Sequence, residues 1–175
     1  GFPSTLISLD TYYGEVAQFG IEQGADLIND ISAGQFDTTL WTVVAQAKIP
    51  YILNYNRAQQ NNSAQSFLHE KGIVSDALSF LSEKRAALQA LGCTDVIIDP
   101  GFGFGKSLAE NHELLQKLEH LHLLGAPLLV EVDLADQLAG LHHAERGRPI
   151  SLDRGEGMDV AAHAPIAARG GQIQA

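Results

Sequence analysis

Cysteine occurs once, at Cys93, so the chain cannot close an internal disulfide, which fits a reducing and therefore cytoplasmic compartment. Proline is sparse, with 6 in 175 residues, and no biased tract interrupts the chain. Collagen-like and disordered classes are thereby excluded. No apolar run approaches the ~18–20 residues of a membrane span. The opening residues Gly1-Phe2-Pro3-Ser4 show no basic region followed by an apolar core, so no secretory signal is visible. Positive charge is scarce: 11 Lys and Arg stand against 21 Asp and Glu, a net charge of −10. A groove for nucleic acid or a surface for anionic lipid needs a concentrated basic patch, and none is present. Length is the last shortage. A complete eight-fold (β/α) barrel typically takes ~250 residues, so 175 suit one ordinary domain or part of such a barrel.

What remains is a regular alternation. Short β-prone runs, Leu6–Asp10, Leu27–Ile31, Tyr51–Asn54, Val96–Asp99 and Pro127–Val132, predict five strands. Helical spacing predicts helices over Tyr13–Gln23, Thr38–Ala47, Ile73–Leu91 and Ala109–Leu118. Strand and helix in alternation predict βαβ units and a parallel sheet. Several strands end on a polar residue: Asp10, Asn29 with Asp30, Asn54 and Asp99. Buried parallel strands are apolar along their length, so polar residues gathered at C-terminal ends point to a ligand edge. Capping of the next helix or turn is the alternative for each of them singly.

Beyond Val132 the character changes. No Phe, Trp or Tyr follows Phe104, no lysine follows Lys117, and Glu131–Ala175 holds nine alanines. Loops are expected over Glu145–Pro149 and Asp153–Gly157, then a helix over Val160–Arg169 and a strand start at Gly170–Gln174.

The segment Asp99-Pro100-Gly101-Phe102-Gly103-Phe104-Gly105-Lys106-Ser107 is the most informative. Alternate glycines between a strand and a helix predict a loop pressed against a ligand or other backbone. A P-loop needs glycine where Pro100 stands, and a dinucleotide fingerprint counted from Gly101 needs glycine where Lys106 stands. Both fail, leaving Gly105-Lys106-Ser107 at a helix start as a possible anion holder.

This run resembles the signature of dihydropteroate synthases, folate-pathway enzymes built on a pterin-binding (β/α) barrel. Two further blocks, Ile7–Thr11 and Gly24–Ser32, agree with that family in order and spacing. The resemblance covers about residues 4–130. It implies an incomplete TIM-type α/β barrel, family-like over 1–132 with a divergent tail over 133–175, the five strands corresponding to the family's third to seventh. It further implies that Asp10, Asn29 and Asp99 line a pterin pocket with Ile31 and Phe104 as apolar walls. Carboxylates and an amide suit the amide and guanidine-like edge of a pterin, and a buried polar set of this kind rejects ligands that leave it unpaired. Ordinary packing is the alternative for Ile31 and Phe104.

The departures bear on activity. Where the family carries Met-His-Met, the chain reads Leu53-Asn54-Tyr55-Asn56-Arg57 in the matching stretch. Where the family has Ser-Arg-Lys-Ser, it reads Asp133-Leu134-Ala135-Asp136. The family's Arg-Val-His-Asp on its eighth strand has no counterpart before Ala175, and its metal-binding Asn, a Mg²⁺ ligand, lies on its absent first strand. The implied reaction joins a dihydropterin methyl pyrophosphate to 4-aminobenzoate, and losing several partners of the leaving group predicts an impaired enzyme with no assured catalytic residue. A non-catalytic pterin- or folate-binding module and a non-functional fragment are the competing readings. Family members are typically dimers, so a homodimer is among the expected partners. His120-Leu121-His122 and His142-His143 lack the spacing of a zinc site, and no Gly-x-Ser-x-Gly elbow supports a hydrolase. Cys93 is expected as a small buried filler.

Overall fold

The computed structural model describes residues 5–60 and 72–131. The expected tail over 133–175, with its helix, its last strand and His142-His143, lies outside them. Strands β1 (Ser8–Asp10), β2 (Leu27–Asp30), β3 (Tyr51–Asn54) and β4 (Val96–Asp99) form one sheet in the order β1-β2-β3-β4, every pair parallel. Helices α1 (Gly14–Glu22), α2 (Leu40–Ala47), α3 (Arg57–Gln60) and α4 (Ile73–Ala90) connect them, and α5 (Leu108–Gln116) with a 3₁₀ helix (Leu118–Leu124) follows β4. Strand order equals chain order with no reversal. A doubly wound sheet reverses at a switch point, whereas an arc of a (β/α) barrel does not.

Register and alternation sort the strand residues into two faces. Asp10 pairs with Asn29, Asn29 with Ile52, and Asn54 with Asp99. Because successive side chains alternate, Asp10, Asn29, Ile52, Asn54 and Asp99 share one face. Ile28, Tyr51, Leu53, Val96 and Ile98 take the other and pack into one core with Leu40, Val44, Ala77, Leu81, Leu88 and Leu114 of the helices. Fully burying such a side chain contributes about 1.5–3 kcal/mol. Ile52 is buried yet stands outside that core, consistent with the opposite face.

Two elements differ from the sequence expectation for local reasons. Ile31 falls outside β2 because Asp30 stops the strand. The buried Asp30 carboxylate accepts the amides of Ser32 at 2.7 Å and Gly34 at 2.8 Å, folding the chain out of the sheet. Tyr51 donates its phenol to the same carboxylate at 2.6 Å, and Trp41 Nε1 donates to the Tyr51 oxygen at 2.9 Å. The fifth strand is a single parallel bridge, Ile98 to Leu128, with the Leu129 amide donating to the Ile98 carbonyl at 2.8 Å. Cys93 is buried, and burial pushes its thiol up to about 11, which leaves it an inert filler as expected.

Candidate functional site

The C-terminal ends of the four strands bring the polar residues to one edge. The Asn29 amide donates to Asp10 Oδ1 at 2.8 Å, across the β1–β2 pair. Asp10 is exposed and Asn29 half-buried, with Asn29 Oδ1 buried and without a hydrogen-bond partner. Two strands on, the Asn54 amide donates to Asp99 Oδ2 at 2.6 Å, and the Gly101 amide donates to Asp99 Oδ1 at 2.8 Å. Burial pushes the Asp99 carboxyl up, opposed by the Gly101 and Asn54 donors. Two amide–carboxylate pairs thus share a sheet face, one solvated and one buried.

The glycine-rich loop earns its composition from the backbone behind it. Gly101 has φ +63°, and a Cβ there would stand 2.5 Å from the Tyr55 carbonyl and 2.9 Å from Asn54 Oδ1. Gly105 has φ +68° and lies against the backbone of Ala58. Of the two sequence alternatives, close approach to backbone accounts for these positions. Phe104 lies in this loop with its carbonyl accepting from the Arg57 amide at 3.1 Å, and its side chain is 38% exposed. Ile31, half-buried, opens the turn after β2.

Lys106 does not face outward as an anion holder. It is buried, donates to the Tyr55 carbonyl at 2.8 Å and to the Gly101 carbonyl, and stands 4.6 Å from the Tyr55 ring centre. Burial pushes its ammonium down to about 7 against the opposing pull of Asp99. The α5 start is also occupied by the chain itself. Ser107 caps it, and Glu110 accepts from the Ser107 amide at 2.7 Å in a capping box. Glu110 also pairs with Arg57, fastening α5 to α3. Burial raises the Glu110 carboxyl, yet the Ser107 amide and Arg57 outweigh it and hold it at about 2. The inward course of Lys106 was not legible in the sequence; its carbonyl partner Tyr55 lies 51 residues upstream.

Two cavities, of about 200 and 310 Å³, lie away from this edge. The first, lined by Lys48, Ile49 and Cys93, opens where β3 and β4 begin. Neither gathers the strand-end carboxylates, so the converging face, rather than a cavity, is the candidate site. Among the described residues no three carboxylate, imidazole or thiolate groups stand where they could hold a metal ion. Asp10 and Asp99 are each engaged by an amide donor, on different strand pairs.

A parallel sheet in barrel order, with carboxylates and amides at its C-terminal edge, defines an arc of a (β/α) barrel with a polar ligand edge. The sequence profile of the family described as "Pterin binding enzyme" matches residues 2–168, and the chain belongs to that family. It is similar to the dihydropteroate synthase of Streptococcus pyogenes, 38% identical over 140 residues, covering 77% of this chain and 50% of that protein. The folic acid synthesis protein fol1 of Schizosaccharomyces pombe is 34% identical over 132 residues, 69% of this chain and 18% of that protein. Among solved structures, Xanthomonas albilineans dihydropteroate synthase in complex with 7,8-dihydropteroate superposes with TM-score 0.67 at 31% identity, covering 80% of this chain and 52% of that one. Thermus thermophilus dihydropteroate synthase in complex with 4-aminobenzoate gives TM-score 0.70 at 26% identity, covering 82% and 56%. The chain spans about half the length of the bacterial synthases it matches.

Proposed function

We propose that the chain carries the pterin-binding part of a dihydropteroate synthase-like transferase and, by itself, binds pterin with impaired or absent turnover. The observation that carries this reading is the register placing Asp10, Asn29, Asn54 and Asp99 on one sheet face at its C-terminal edge. Ionised carboxylates accept the N–H donors of an aminopyrimidinone edge, and the Asn29 amide offers both a donor and an unpartnered acceptor. Ile31 and Phe104 supply apolar surface for a flat ring beside them.

The chemistry joins a dihydropterin methylene carbon to the amine of 4-aminobenzoate as pyrophosphate departs. That step needs positive charge aimed at the leaving group. Lys106 is turned onto two carbonyls and Arg57 onto Glu110, so these two cations beside the edge are engaged within the protein. The missing lysine at Ala135 supports the same conclusion from the sequence. Loss of even one preorganised donor can cost ~10²–10³ in rate.

Titration calorimetry of the purified 175-residue chain with 6-hydroxymethylpterin tests the binding half. Saturable binding is expected, and its absence would overturn the pterin reading. A turnover assay with dihydropterin pyrophosphate, 4-aminobenzoate and added Mg²⁺ tests the other half. Brisk dihydropteroate formation would overturn the impairment.

A further inference from the structure

We propose that Asn54 is a positioning residue for Asp99: its amide fixes the carboxylate's orientation and holds it in the anionic, acceptor form that a pterin edge requires. The inference deepens the pterin reading and rests on it for the ligand's identity. Its first support is geometric. Asn54 and Asp99 are register partners at the ends of neighbouring strands, and the amide reaches Oδ2 at 2.6 Å. Asn54 is 1% exposed and Asp99 is 5% exposed, so water does not compete for this bond.

The second support is what each oxygen does. Asp99 Oδ1 accepts from the Gly101 amide in its own loop, and Oδ2 accepts from Asn54 on β3. Two donors from two elements fix the carboxylate plane while leaving one lone pair on each oxygen for a ligand. Asn54 Oδ1 has no hydrogen-bond partner and lies against Gly101. The amide therefore serves the carboxylate with one end and packs with the other. A residue selected for packing alone would not keep a buried acceptor unpaired, which costs free energy.

The third support is electrostatic. Burial drives Asp99 toward its neutral form, and Glu131 adds to that drive. The Gly101 amide, the Asn54 amide and the Lys106 ammonium oppose it, the first and last from the glycine-rich loop and Asn54 from β3. A protonated Asp99 would offer a donor where the ligand also presents donors. Asn54 is the side-chain hydrogen bond that guards against this.

Asn54→Leu keeps the γ branch and removes both the donor and the unpaired oxygen while adding volume; Asn54→Ala, which removes both without adding volume, is the second apolar variant, and native circular dichroism checks the fold of each. Carboxyl-¹³C titration of the full chain without ligand, with Asp99→Asn identifying the resonance, reads Asp99 directly. Its midpoint is expected to lie at higher pH in the apolar variants than in the wild type; an unchanged or lowered midpoint would overturn the proposal. Binding of 6-hydroxymethylpterin is then expected to weaken about three- to tenfold at pH 8, the loss of one modest orienting bond. Its acid limb is expected to move upward in step with Asp99. A shifted carboxyl titration with no pterin binding by the wild type would strike the pterin reading and leave the Asn54–Asp99 assignment standing. A wild-type acid limb retained in Asn54→Leu would refute the role in binding.

Discussion

The Lys106 ammonium stands 4.6 Å from the centre of the Tyr55 ring and donates to the Tyr55 carbonyl, so one buried cation fastens the β4 loop to the exit of β3. Burial pushes Lys106 down to about 7 from an ordinary value of 10.5, with Asp99 and Glu110 pulling upward and Arg57 downward. Between these values the unfolded chain holds a proton that the folded chain has released. Stability from this group therefore rises with pH from about 7 upward and is lost as pH falls back toward 7. Urea-unfolding midpoints measured from pH 7 to 9 should rise more steeply for the wild type than for Lys106→Met. The comparison isolates Lys106, because Cys93 and the tyrosines titrate in both proteins. Parallel slopes would show that Lys106 keeps its proton.

A second prediction concerns the turn that carries Ile31. Tyr51 Oη bridges the Trp41 indole and the Asp30 carboxylate, at 2.9 and 2.6 Å. Tyr51→Phe keeps the packing, deprives Trp41 of its acceptor and takes one donor from Asp30. Leaving buried polar groups unpaired costs about 1–3 kcal/mol. Equilibrium urea unfolding should register that loss; a change below about 0.5 kcal/mol, the range of neutral surface substitutions, would show that water replaces the phenol.

The glycine loop gives a paired test. Gly103 has φ +87° with nothing within 4 Å of an added Cβ, so Gly103→Ala meets backbone strain alone, about 1–2 kcal/mol. Gly101→Ala meets comparable strain and also a Cβ 2.5 Å from the Tyr55 carbonyl. It should destabilise more in the same unfolding assay and perturb the Asp99 carboxyl resonance, which Gly103→Ala should leave in place. Equal costs would mean that the β3 exit yields to the intrusion.

These tests turn on relationships the sequence exposes unevenly. The strands were legible because each is a short apolar run closed by a polar residue, as Tyr51–Asn54 and Val96–Asp99 are. The polar ends of a ligand edge were legible for the same reason. Which ends touch was not: Asn54 and Asp99 are 45 residues apart, and only strand order and register make them partners. Helix α3 spans four residues, too few for an apolar period to emerge. Lys106 followed by a serine cap read as an open anion slot; the carbonyls of Tyr55 and Gly101 turned it inward. The carboxylate that closes β2, Asp30, lies beside Asn29 with equal standing in the sequence. Alternation separated them, sending Asn29 to the candidate face and Asp30 to the core side.

That separation yields the last prediction. Asp10 shares the face of Asn29, is exposed, and is held at 2.8 Å by the Asn29 amide. Its carboxylate contributes little to packing, so Asp10→Asn should leave the thermal midpoint of the unliganded chain unchanged. The same substitution removes an anionic acceptor from the proposed pterin edge and sets two amides against each other. Hydrogen bonds to a charged group contribute about 1.5–3 kcal/mol, so the Kd for 6-hydroxymethylpterin should rise about tenfold or more. Calorimetric titration of both proteins at one pH measures it. An unchanged Kd beside an unchanged midpoint would place the pterin elsewhere on the sheet, whereas loss of both would make Asp10 a structural partner of Asn29 first.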